Sequence, residues 1–374
     1  MAGIYIHIPF CKQACYYCDF HFSTSIKRKD ELLAAICSEI QLRKSEISGA
    51  IKTIYFGGGT PSLLNKEEID LLIAEVYKNF DVEENIEITL EANPDDLTKD
   101  KIFQLSETKI NRLSIGVQSF FEEDLKLMNR AHSEKEAKES ILEAKQYFDN
   151  ISIDLIYGVP GMSNQRWEQN LEVALSLQVP HISSYALTVE PKTAFESFIK
   201  KGKISPTLDS DFKEQYELLL STMKEAGFVN YEFSSFSKEG YFSKNNTAYW
   251  QGKTYLGVGP SAHSFDGKYR SWNVSNNIRY IQSISEEKLP IERELLSVKD
   301  RYNEYIMIGL RTMWGVSLIK IETDFGKNFV QYALNQAQKA IEDELVILKE
   351  DNLTISEKGK FLSDGIASNL FMVE

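Results

Sequence analysis

The stretch HIPFCKQACYYCDF, residues 7–20, contains three of the four cysteines of this chain. Cys11, Cys15 and Cys18 follow a short apolar strand that begins at Ile4. A single loop therefore offers three thiolates, at the point where a strand ends. The spacing of these cysteines, and their place at the end of a strand, are the main indications of the fold and of the chemistry in this sequence.

The fourth cysteine, Cys37, lies on an apolar helical stripe with Leu33 and Ile36. A free cysteine in such a stripe usually serves as a small core residue. A structural zinc site needs four ligands, and His7 or His21 is the candidate fourth. A [4Fe–4S] cluster normally takes four thiolates, so a cluster held by three would keep one iron open for a substrate or cofactor.

Short apolar strands alternate with amphipathic helices through the first half of the chain. The strands begin at Ile4, Thr53, Ile86, Arg112, Ile151 and His181. This alternation predicts parallel βαβ units. Six units without an obvious closing pair predict a partial (β/α)6 TIM-like barrel, with Rossmann-like layering as the alternative. Active sites of such barrels form where the strands end, which is where the cysteine loop lies.

The chain divides into three predicted parts. Residues 1–230 form the partial barrel, residues 231–296 an aromatic-rich connecting region, and residues 297–374 a winged-helix-like module of helices followed by a hairpin. Winged helices often bind DNA, but residues 299–374 carry nine Lys and Arg against twelve Asp and Glu. Without a basic stripe, a packing or capping role is the better interpretation.

Charge and hydropathy exclude several classes of partner. The net charge of −13 disfavours binding to nucleic acid or to an anionic membrane surface. No apolar run is long enough to predict a membrane span. The first residues lead straight into a strand without the features of a secretion signal, so a cytoplasmic location is expected. In that compartment thiols stay reduced, and clustered cysteines favour a metal over disulfides.

Six motifs accompany the strands in order, and they read YIHIPFCKQACYYCDF, YFGGGTPSLL, LEANPDDLT, RLSIGVQSF, LMNRAHS and IDLIYGVPG. Together they resemble the radical SAM branch that contains oxygen-independent coproporphyrinogen III oxidase and the HemW-type heme chaperones. The resemblance covers nearly the whole chain, including the C-terminal module. It implies that Cys11, Cys15 and Cys18 bind a [4Fe–4S] cluster whose open iron chelates S-adenosyl-L-methionine.

The same resemblance implies a set of residues around that cofactor. They are Tyr5, Gly58, Gly59, Thr60, Glu91, Gln118, Arg130 and Asp154. The Glu91 carboxylate suits a ribose hydroxyl or an ammonium group, and the Arg130 guanidinium suits a carboxylate. Glycines let the backbone approach a ligand closely.

Two features of the oxidase subfamily are not found in this chain. The oxidase resembles this chain but has a fourth cysteine two residues beyond the third, where Phe20 stands here, and a long N-terminal extension. These features favour the chaperone, which would bind heme, pass it to an acceptor protein and draw on a cytosolic one-electron reductant. The alternative is oxidative decarboxylation of porphyrinogen propionates.

The motif His-Asn-x-x-Tyr-Trp, associated with heme in the chaperones, is incomplete here. Asn246, Tyr249 and Trp250 match it, but Asn245 stands where the histidine belongs. Asparagine is a poor axial ligand for heme iron. The nearest alternative ligand along the sequence is His263, and binding by stacking and propionate contacts alone is the other interpretation.

Overall fold

The computed structural model describes residues 2–373 and begins with six parallel β/α units. The elements are β1 (Ala2–Ile8), α1 (Lys29–Leu42), β2 (Ile51–Gly58), α2 (Lys66–Asn79), β3 (Val82–Ala92), α3 (Lys99–Ser106), β4 (Arg112–Gln118), α4 (Glu122–Leu127), α5 (Glu134–Ala144), β5 (Ile151–Tyr157), α6 (Asn164–Ser176) and β6 (His181–Ala186). Strands β1 to β6 are neighbours in chain order, which confirms the predicted partial barrel.

The next segment contributes to both margins of the same sheet. Its elements are α7 (Ala194–Lys200), α8 (Asp209–Glu225), β7 (Val229–Glu232), β8 (Ser235–Ser237), α9 (Lys244–Trp250), β9 (Thr254–Val258), β10 (His263–Phe265), β11 (Tyr269–Asn273), α10 (Asn277–Ser285) and β12 (Ile291–Leu295). Strand β9 pairs in parallel with β1, and β10 to β12 continue antiparallel, while β8 and β7 follow β6. Residues 231–296, predicted as an aromatic-rich connecting region, thus contain β8 to β12 and two helices. Strands this short show no periodicity in the sequence.

The C-terminal module has its own small core. Its elements are α11 (Val298–Leu310), β13 (Val316–Ser317), α12 (Leu318–Phe325), α13 (Lys327–Glu342), β14 (Val346–Lys349), β15 (Asn352–Ile355) and α14 (Ser363–Asn369). The strands form a three-stranded antiparallel sheet in the order β13-β15-β14. Helices packed on such a sheet confirm the winged-helix-like prediction. Among residues 2–373, no helix combines the length and the apolar character needed to cross a bilayer.

Apolar and polar side chains alternate along the barrel strands, so that the inner face of the barrel is polar. On β3, Ile88 and Leu90 are buried in the hydrophobic core, whereas Thr89 and Glu91 point to the opposite face. Tyr55 on β2 stacks on Tyr5 of β1 with ring centroids 6.1 Å apart and donates a hydrogen bond to Glu91. The inner face of the sheet therefore carries hydrogen-bonding side chains directly below the strand ends.

Candidate functional site

A cavity of about 480 Å³ opens where the parallel strands end, and we name it the cysteine cavity. Its lining includes Cys11, Cys15, Cys18, Gly58, Gly59, Thr60, Glu91, Gln118, Arg130 and Asp154. These residues come from the loop after β1, the ends of β2 to β4, strand β5 and the segment after α4. Tyr5 lies outside this lining, and its hydroxyl is 3.1 Å from Nδ1 of His7.

The cysteine loop is fixed by backbone hydrogen bonds to segments distant in sequence. Cys11 N–H donates to the carbonyl of Ser23 at 3.1 Å, and Tyr16 N–H donates to that of Met128 at 3.2 Å. All three cysteines are free and half-buried. Burial raises the pKa of the Cys18 thiol to about 11, so thiolate formation here needs a metal or another cation.

The distances between the three thiol groups decide which kind of metal centre they can bind. Within residues 2–373, no three His, Cys, Asp or Glu side chains gather closely enough to enclose a single metal ion. A [4Fe–4S] cluster asks for a different arrangement, because each thiolate binds a different iron. Three thiols that line one cavity of this size fit that requirement.

Arg130 places a cation against the cysteine loop. Its Nη1 lies 3.4 Å from Sγ of Cys15, and its Nη2 donates at 2.6 Å to both Oδ1 of Asn93 and the carbonyl of Gly116. These acceptors hold the guanidinium in place. Burial raises the pKa of the Cys11 thiol, while this positive charge acts to lower it.

The glycines at the end of β2 are required because the backbone there packs closely against the cysteine loop. Gly58 has a φ of +107°, and a Cβ there would lie 2.5 Å from the His7 ring. A Cβ on Gly59 would lie 2.6 Å from the carbonyl oxygen of Phe10. Thr60 N–H donates to that same oxygen at 2.6 Å. The glycine stretch therefore holds the backbone of the cysteine loop as well as lining the cavity.

Two half-buried carboxyl groups line the cysteine cavity. Oε1 of Glu91 accepts a 2.7 Å hydrogen bond from the Tyr55 hydroxyl. Burial, reinforced by the nearby Asp154 charge, raises the pKa of Glu91 to about 7. Burial likewise raises the pKa of Asp154 to about 6. Both groups titrate near neutral pH and can accept hydrogen bonds from a cationic or hydroxyl-bearing ligand.

A second cavity of about 580 Å³ adjoins the first, and we name it the aromatic cavity. Its lining includes Asn246, Tyr249 and Trp250 of helix α9, with further aromatic rings from β9 and β10. Tyr185 belongs to the lining of both cavities. A ligand in the aromatic cavity would therefore lie next to one in the cysteine cavity.

Neither Asn245, which occupies the position of the motif histidine, nor His263, the alternative ligand, lines the aromatic cavity. The Asn245 side chain is only 2% exposed, and its Oδ1 accepts a 3.0 Å hydrogen bond from the Thr53 hydroxyl inside the barrel. His263 is exposed on β10, stacks on Trp272 with ring centroids 5.9 Å apart, and is not among the residues that line either cavity. The structure thus brings together Asn246, Tyr249 and Trp250 but not His263.

Comparison with known proteins places the chain in a family. Residues 5–174 match the Radical SAM superfamily and residues 296–362 match the HemN C-terminal domain. The heme chaperone HemW of Bacillus subtilis is 34% identical over 371 residues, 98% of each chain. The chain belongs to the HemW family of radical SAM proteins. HemW of Lactococcus lactis is 32% identical over 364 residues, 97% of this chain and 95% of that one.

A coproporphyrinogen III oxidase of known structure has the same fold as this chain. Coproporphyrinogen III oxidase HemN from Escherichia coli superposes with a TM-score of 0.87, covering 100% of this chain and 90% of that one, at 24% identity. This likeness concerns the fold alone. Radical SAM membership implies a [4Fe–4S] cluster and S-adenosyl-L-methionine.

Three charged residues that line the aromatic cavity were not predicted from the sequence. Arg270 lies on β11, while Glu304 and Arg311 lie on or just after α11 of the C-terminal module. None of them stands in a motif. They meet only because the C-terminal module packs beside β9 to β11, a contact that no local pattern in this HemW sequence indicates.

Proposed function

We propose that this chain is a radical SAM heme chaperone, which binds heme and transfers it to an acceptor protein. The observation that carries the proposal is the full-length likeness to HemW chaperones, at 34% identity over 371 residues. The oxidase alternative is not favoured, because Phe20 stands where the oxidase has an additional cysteine. In addition, Asn246, Tyr249 and Trp250 match the heme motif of the chaperones, in which only position 245 differs.

The cysteine cavity would hold the cluster and its cofactor. Cys11, Cys15 and Cys18 are the three thiolate ligands of a [4Fe–4S] cluster, and S-adenosyl-L-methionine takes the open iron. When bound, these groups supply one-electron chemistry driven by an external reductant. The surrounding contacts are Gly58, Gly59, Thr60, Glu91, Gln118, Arg130 and Asp154, with Tyr5 supporting them from inside the barrel.

The aromatic cavity would hold heme beside that cofactor. Pockets of several hundred Å³ with aromatic walls and a few charged groups are typical ligand sites, and this cavity has about 580 Å³. Asn246, Tyr249 and Trp250 supply one wall. Tyr249 offers a phenol as axial ligand, while His263 would have to reach the iron from outside the lining.

An anaerobic heme titration of the cluster-reconstituted protein tests the proposal. We expect a saturable Soret band at about one heme per chain and no turnover of coproporphyrinogen III. Trp250→Ala should weaken binding about tenfold through loss of stacking area. His263→Ala should leave affinity unchanged if Tyr249 ligates the iron. Turnover of coproporphyrinogen without heme binding would overturn the chaperone function.

A pH dependence of cofactor affinity follows from Glu91. Its pKa is raised to about 7, so the carboxylate becomes protonated as the pH falls below that value and loses its attraction for a cationic group. We expect binding of S-adenosyl-L-methionine to weaken several-fold between pH 8 and pH 6. Calorimetry on reconstituted protein measures this, and Glu91→Gln should flatten the profile. An unchanged profile in the variant would exclude Glu91 as the titrating contact.

A further inference from the structure

The C-terminal module forms one wall of the aromatic cavity. Glu304, Ile308 and Arg311 recur at the spacing of one helical face on α11 and its end, and all three line that cavity. Arg270 of β11 lines it as well. The cavity therefore lies between the barrel and the module, and each contributes one arginine, while Lys253 and Glu232 also line it.

Both arginines are paired with carboxylates of this chain. Nη1 of Arg270 lies 2.9 Å from Oε1 of Glu304. Arg311 donates from Nε and Nη2 to the two carboxylate oxygens of Asp364, at 2.8 and 2.7 Å. The second pair is bidentate, the geometry that a guanidinium offers to any carboxylate.

These ion pairs are open to solvent. The side chains of Arg270 and Glu304 are 37% and 32% exposed, and those of Arg311 and Asp364 are 29% and 55% exposed. Pairs in such surroundings contribute little to stability. A ligand carboxylate that enters the cavity can therefore replace Glu304 or Asp364 without a large loss of folding free energy.

The rings around the two arginines suit a flat apolar ligand. The Arg311 guanidinium lies 6.0 Å from the Trp250 ring centroid and 5.6 Å from that of Phe233. Tyr249 packs edge-on against Tyr255 with centroids 4.5 Å apart. Aromatic faces next to two arginines match a planar macrocycle that carries two carboxylates.

We propose that Arg270 and Arg311 bind the two propionates of heme, and that Glu304 and Asp364 occupy these arginines while the cavity is empty. The inference rests on the proposed heme chaperone function and specifies how the same site selects its ligand. Heme entry exchanges two internal ion pairs for two ion pairs with the ligand. The C-terminal module is then part of the binding site.

Removing charge from either side of these contacts tests the proposal. Heme and heme dimethyl ester, which lacks the propionate charges, are titrated into cluster-reconstituted protein. Arg270→Gln and Arg311→Gln should each weaken heme binding about tenfold and leave the affinity for the ester unchanged. Arg293→Gln is the matched control, since Arg293 is exposed on β12 and outside the cavity lining. It should change neither affinity.

Removing the competing carboxylates should act in the opposite direction. Glu304→Gln and Asp364→Asn free the arginines, so each should tighten heme binding about twofold to fivefold. A gain of affinity cannot result from misfolding. Wild-type protein that binds no heme would overturn the chaperone function itself. Heme binding that is insensitive to all four substitutions, with equal affinity for the ester, would overturn only the propionate contacts.

Discussion

Cys15→Ala is expected to abolish assembly of the [4Fe–4S] cluster, while Cys37→Ala should leave the iron content at that of the wild type, about four per chain. Cys15 lines the cysteine cavity within 3.4 Å of Arg130, and its removal leaves only two of the three thiolates. Cys37 packs against the hydrophobic core on helix α1. Iron and sulfide analysis after anaerobic reconstitution measures the difference, together with the broad absorbance of the cluster.

The same metal and sulfide analysis of the wild type distinguishes a cluster from a zinc site. Zinc bound by the same cysteines would give one metal per chain and no sulfide. Equal loss of iron in Cys15→Ala and Cys37→Ala would contradict the three-cysteine assignment. Loss of S-adenosyl-L-methionine binding should accompany loss of the cluster, because the open iron is the expected anchor of the cofactor.

The composition of the cysteine cavity could be predicted from the resemblance of six motifs to the radical SAM branch, because each motif accompanies one of the parallel strands or the segment that follows it. The ends of parallel barrel strands converge, so Gly59, Glu91 and Asp154 meet the cysteine loop although they are far apart in sequence. Strand periodicity is a local signal, and the alternation of strands with helices predicted the six β/α units. Helices followed by a hairpin predicted the winged-helix-like module. Tyr5 shows the limit of this reasoning, because its side chain faces the barrel interior below the cavity.

The aromatic cavity could not be predicted in the same way. Strand β9 pairs with β1, more than two hundred residues earlier, and short strands such as β10 carry no periodic signal. The charged wall from α11 depends on packing between two modules. The motif around Asn246 marked one side of the cavity, but only the structure shows that position 245 faces Thr53 and the barrel.

The largest expected effect on stability comes from Glu39 of helix α1, which is fully buried. Its Oε1 accepts from Arg43 and Asn273, each at 2.8 Å. Its Oε2 accepts from the Gly259 N–H at 2.8 Å and the Tyr280 hydroxyl at 2.6 Å. One carboxylate thus ties α1 to the sheet margin that carries β9 to β11.

Glu39→Ala is expected to lower the free energy of unfolding by about 3–5 kcal/mol, because it removes the fully buried partner of the Arg43 charge and leaves three further buried donors without this acceptor. Urea denaturation followed by circular dichroism measures the change. The matched control is Glu46→Ala, since Glu46 also pairs with Arg43 but is 29% exposed and should cost at most about 1 kcal/mol. Similar losses in the two variants would contradict the central role of Glu39. Faster hydrogen exchange in residues 254–273 of Glu39→Ala would show that the sheet margin, and with it one side of the aromatic cavity, depends on this carboxylate.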